Sequence, residues 1–148
     1  MSPDPLAQEI SGLSETVAFF DSTFEEALAL TREARDYLTH AEPRERERMT
    51  PNERMLASCE AMRLTARLTQ VMAWLLVQKA VHGGEMTREE ARAAEFRLAG
   101  QSVCAETTPP VEGRLQPRLA ELLERSHSLY QRVSRLDALQ GPPRRSLS

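Results

Sequence analysis

The chain has 148 residues, long enough for one domain with a real core, and is 41% hydrophobic and 28% charged. Aromatics at 5% and scarce glycine disfavour an all-β fold, and a net charge of −3 argues against a general nucleic-acid binder, which is normally basic. The start, MSPDPLAQEI, lacks the basic and apolar segments of a signal peptide. The longest apolar run, Val71 to Val77, falls far short of the roughly 20 residues of a membrane span. A cytosolic protein with no membrane partner is the expectation.

Residues 1–15 carry Pro3, Pro5 and Gly12 and read as a flexible arm, ahead of a bundle domain over 16–140 and a flexible tail over 141–148. Ser22-Thr23-Phe24-Glu25 has the form of a capping box and predicts the first helix start; Phe20, Phe24, Leu28, Thr31, Arg35 and Leu38 mark one helical line ending near His40. The charge-alternating stretch Glu42 to Arg48 reads as a solvated linker.

A second capping box, Thr50 with Pro51 and Glu53, opens a helix that nothing breaks before His82, a span of ~48 Å at 1.5 Å per residue. This central helix holds the single Trp and the single Lys. From Val71 to Val77 every residue is apolar, which predicts burial on all sides and a second chain packed against it. Leu68, Val71, Met72, Trp74, Leu75 and Leu76 are the candidates for core and dimer interface. Met55, Cys59 and Met62 form another apolar line, so Cys59 is expected in the core.

Gly83-Gly84 supplies a helix stop, and Thr87 caps a short helix predicted to reach about Leu98. Gln101 to Gly113 reads as a loop, with Cys104 in it. The last helix starts near Pro117. Its seam, Leu115, Leu119, Leu122, Ser126, Leu129, Val133 and Leu136, alternates steps of four and three and should pack nearly antiparallel on a neighbour. The fold class is all-α: a three-helix bundle with a long central helix and a short extra helix after the Gly83-Gly84 turn.

No catalytic constellation stands out. His40, His82 and His127 read as capping or surface histidines, and the two cysteines lack the spacing of a zinc site or a disulfide framework. There is no phosphate loop, HExxH or GxSxG. No enzyme activity, cofactor or metal is expected. A helix-turn-helix reading of Gln78 to Leu98 would put Arg88, Arg92 and Arg97 beside Glu89, Glu90 and Glu95, giving phosphates no net positive charge to meet. A DNA-associated regulator and a small-molecule sensor with a cavity under Trp74 stand as the rival readings.

The segments FFDSTFEEALALTREARDYL, RLTARLTQVMAWLLVQKAVHGGEMTREEAR and SHSLYQRVSRLD resemble an alphaproteobacterial family, the domain of unknown function numbered 1465. The resemblance covers Phe19 to about Leu139, and the Trp-Leu-Leu core followed by the Gly-Gly-Glu turn is its most specific part. It implies a homodimeric three-helix bundle. It further implies a non-enzymatic adaptor of the cell cycle that helps the ClpXP protease, through its ClpX unfoldase, degrade regulators. Partners implied are a CpdR-like response-regulator adaptor and transcription-factor cargo, with no direct nucleic acid. A flexible tail is implied to take part in partner contacts, which singles out Arg144 and Arg145.

Overall fold

The computed structural model describes residues 4–106 and 115–143, and every helix or turn of regular structure among them belongs to an all-α bundle. Helix α1 spans Pro5–Asp36. It begins well before the predicted Ser22 box, because Asp4 caps it: the Asp4 carboxylate accepts from the Leu6 amide at 3.1 Å, and Pro5 takes the first position, where an amide proton is dispensable. Leu6, Ile10, Leu13 and Val17 lead at helical spacing into Phe20, Phe24 and Ala27, so one apolar line runs unbroken through Ser22. Gly12 weakens such a helix without breaking it. Residues 5–15, expected as an arm, are therefore helical and exposed.

After Asp36 the chain widens into a π-helical turn, Tyr37–Ala41, and continues into α2, Glu42–Arg46. The expected solvated linker is a structured corner instead. Tyr37 is buried and its hydroxyl donates to Glu45; Arg46 pairs with Glu42 at 2.8 Å and donates to Ser58 Oγ at 2.7 Å; Met49 is buried beneath. Burial, and then the bond to Glu45, raise the Tyr37 pKa. Tyr37 supplies the apolar body that the charged stretch lacks, which is why a charge count misjudged this segment.

Helix α3, Pro51–His82, has the expected bounds, and its box is complete: Thr50 Oγ1 accepts from the Glu53 amide and Glu53 reaches back to the Thr50 amide. Gly84 takes φ of 77°, a left-handed conformation that turns the chain after it. The next helix is shorter than predicted. α4 covers Arg88–Ala91, a 3₁₀ turn covers Ala94–Phe96, and extended backbone at Arg97 brings Leu98 into the core. Tertiary contacts override helix propensity here, because Arg97 and the Leu98 amide both bond Asp137. α5, Gln101–Cys104, precedes α6, Pro117–Ala138.

Helices α1, α3 and α6 make the three-helix bundle. Ala27, Leu30 and Ala34 of α1 meet Leu64, Val71 and Leu75 of α3 and Leu119, Leu122, Leu129 and Val133 of α6 in one core. The α6 seam is buried from Leu119 to Val133, with Leu115 and Leu136 half-buried at its ends. Two inter-helix ion pairs, Arg125–Glu33 and Arg132–Glu26, lie outside the α1–α6 contact.

The single chain covers only part of the Val71–Val77 run. Val71, Trp74 and Leu75 are buried, but Met72 and Val77 are half-buried, Ala73 is exposed and Leu76 is 52% exposed. In a single chain α1 and α6 cover two sectors of α3 and leave this one open. One expectation about α3 is corrected: Cys59, expected in the core, is exposed, whereas Cys104 after α4 is buried. The inward line of early α3 is Ala57, Glu60, Leu64 and Arg67, whose charged members disguise it; Met55 and Met62 are 70% and 73% exposed.

Candidate protein-binding surfaces

The α3–α6 side is closed by two buried polar groups. Arg67 is 2% exposed; its guanidinium donates to the carbonyls of Cys104 at 2.7 Å, Leu123 at 3.1 Å and Glu106, and approaches Ser126 Oγ at 3.4 Å. One side chain thereby ties α5 and its following turn to α6. Burial pulls the Arg67 pKa down, and the same burial pushes the neighbouring Cys104 thiol up. At the other end of this side, Asp137 Oδ1 accepts from Trp74 Nε1 at 2.9 Å, Arg97 Nε at 2.8 Å and the Leu98 amide at 3.3 Å. These donors satisfy a carboxylate that burial would otherwise penalise.

The α1–α3 side is different. Between these helices lies a groove of about 460 Å³, walled by Ala34 of α1, Leu38 of the π-helical turn that follows it, and Leu68, Met72, Ala73 and Leu76 of α3. Its rim carries Thr31, Arg35, Thr65 and Thr69. The threonines at 65 and 69 turn their hydroxyls onto backbone carbonyls one turn back, at 2.9 and 2.8 Å, so the rim presents methyl groups as well as oxygen. Of the six candidate residues, Leu68, Met72 and Leu76 fall on this groove, spaced four apart; Val71, Trp74 and Leu75 point into the core.

A further apolar surface was missed from the sequence. On the early turns of α1, Leu6 is 65%, Ile10 62%, Leu13 52% and Val17 36% exposed. Their spacing of four, three and four is the signal that would have found them, continuing the line of Phe20 and Phe24. Two prolines and a glycine nearby drew the reading to a flexible arm. The tail candidates Arg144 and Arg145 lie outside the described residues.

No group of His, Cys, Asp and Glu able to hold a metal occurs among the described residues. The histidines are dispersed: His40 is exposed, the His82 ring lies tilted against Phe20 with centroids 5.0 Å apart, and His127 bonds the Ala105 carbonyl at 3.0 Å. Among the described residues no helix is long and apolar enough to cross a membrane.

By class this is an all-α, three-helix bundle whose central helix keeps one apolar face open. The chain belongs to the family described as "Protein of unknown function (DUF1465)", which matches residues 14–146. Among solved structures it is similar to RcdA from Caulobacter crescentus CB15, with 37% identity and a TM-score of 0.65 over 82% of this chain and 89% of that one. No curated protein matches the chain.

Proposed function

We propose that the protein is a non-enzymatic adaptor of regulated proteolysis in the cell cycle, a homodimer that tethers regulatory proteins to ClpXP. The observation that carries this is the open apolar groove on α3, formed by Leu38, Met72, Ala73 and Leu76 on a bundle whose other side is closed by buried polar bonds. The likeness to RcdA supports the same reading. Apolar surface at helical spacing on a rigid bundle suits helix-in-groove or helix-on-helix contact.

In this reading the groove, with the exposed Leu76 in its wall, is the dimer contact, and the Leu6 to Val17 stripe of α1 is left for a partner. Tethering raises the local concentration of cargo at the unfoldase pore, so contacts of micromolar order suffice. A CpdR-like response regulator and transcription-factor cargo are the partners proposed, and the site of action is the cytoplasm. The test is degradation of a panel of transcription regulators by purified ClpXP with a CpdR-like factor, with and without this protein. Faster loss of a particular regulator supports the adaptor role; unchanged rates with every regulator contradict it.

A further inference from the structure

Where α1, α3, α4 and the end of α6 converge, a second cleft of about 430 Å³ opens, separate from the apolar groove. Its lining includes Thr16 and Phe20 from α1, Gln78 and His82 from α3, and Arg88 and Arg92 around α4. The chain as a whole carries a net charge of −3, yet this cleft gathers two guanidiniums and an imidazole. Arg88 and Arg92 are exposed, and among the described residues neither forms an ion pair, unlike Arg97, which is bound to Asp137.

A second observation marks the cleft as incomplete. Gln78 is 6% exposed, and its Nε2 has no hydrogen-bond partner among the described residues. A buried amide donor left without an acceptor is uncommon in a folded protein and calls for one. The floor is apolar: the Phe20 ring lies 5.0 Å from His82 and 5.9 Å from Trp74.

The cleft also continues outward. Arg88 and Arg92 are shared with a shallow trough of about 580 Å³ that runs over Pro142 and Pro143. Glu89 lies along this trough and is already partnered. A trough leading past both arginines into a pocket fits an extended chain rather than an isolated ion.

We propose that this cleft binds an acidic peptide segment of a partner protein, with an Asp or Glu carboxylate seated between Arg88, Arg92 and the Gln78 amide and the adjoining apolar residue resting on Phe20. Guanidiniums match a carboxylate with paired, charge-assisted hydrogen bonds. The assignment rests on the reading of the chain as a protein-binding module and names the chemistry of one of its partners. It leaves the Leu76 groove to the dimer.

The test uses the full chain and two acetylated, amidated peptides, Leu-Asp-Glu-Leu and its neutral counterpart Leu-Asn-Gln-Leu. Trp74, the single tryptophan, reports through its contact with Phe20, and backbone amide spectra locate the site. The acidic peptide should saturate and shift resonances around Gln78 and His82. Binding should fall by about tenfold or more for the neutral peptide and for Arg88→Glu/Arg92→Glu, while Arg88→Lys/Arg92→Lys keeps part of it. Equal binding of both peptides, an unchanged affinity in the charge-reversed variant, equal competition by inorganic phosphate, or no saturable binding would each overturn the proposal. Because the readout needs no protease, peptide binding without accelerated degradation would overturn the adaptor role alone, and the converse would overturn the cleft alone.

Discussion

The two sides of α3 use apolar residues to different ends. Toward α6, an unbroken seam from Leu119 to Val133 is locked at one end by Arg67 and at the other by Asp137, and each polar group there has several partners. Toward α1, Leu68, Met72 and Leu76 have the same helical spacing but end in a groove that the described residues do not fill. The difference teaches that hydrophobic spacing marks a contact face without saying which molecule supplies the contact. Satisfied buried polar groups are what identify the closed side, since such groups are costly to leave half-paired.

The comparison is broken hardest at Asp137. Replacing it with Ala leaves the Arg97 guanidinium, the Trp74 indole and the Leu98 amide without their shared acceptor. We expect Asp137→Ala to lose about 3–5 kcal/mol of stability, the range for breaking a buried charged pair, measurable by urea denaturation. Tyr130→Phe is next. Its hydroxyl donates to the Ala99 carbonyl at 3.1 Å, so the loss at neutral pH should be about 1 kcal/mol.

Tyr130 also sets an alkaline limit. Burial first, with the charges at Cys104 and Asp137, pushes its pKa up from 10.0 to about 12. The folded state therefore holds this proton more tightly than the unfolded state. The contribution is complete below pH 10 and is lost as pH rises toward 12, so stability should decline over that window and decline less steeply in Tyr130→Phe. Denaturation midpoints across that pH range check the sign.

Smaller still is the outer pair between Arg132 and Glu26, both substantially exposed. Arg132→Ala should cost at most about 1 kcal/mol, and less at high salt, as thermal melts at two ionic strengths would show. Smallest for stability is Leu76→Asp. With 52% of its surface exposed, this residue should shift folding stability by only about 0.5 kcal/mol, yet abolish self-association in sedimentation equilibrium.

Much of the closed side was legible in the sequence. The Thr50 box and the Gly83-Gly84 stop bound α3 correctly because capping and left-handed turns are local chemistry, and the α6 seam was read from its four-three steps. The short α4 was not, since the break before Leu98 depends on Asp137, 39 residues away. The outward position of Cys59 has a similar origin: the true inward line of α3 carries Glu60 and Arg67, and only the fold shows that both are buried and bonded. Of the candidate interface residues, spacing could nominate Leu68, Met72 and Leu76 together with Val71, Trp74 and Leu75, but it could not separate the groove from the core. The cleft at Gln78, Arg88 and Arg92 was invisible to spacing because residues from α1, α3, α4 and the end of α6 build it together.

The most direct measurement of the central claim, that the α1–α3 groove is reserved for protein contact, is ClpXP degradation of a responsive regulator in the presence of Ala73→Asp/Leu76→Asp, both on exposed groove positions. The account predicts a variant with near-wild-type unfolding that no longer accelerates degradation. Acceleration equal to that of the wild-type protein would contradict it.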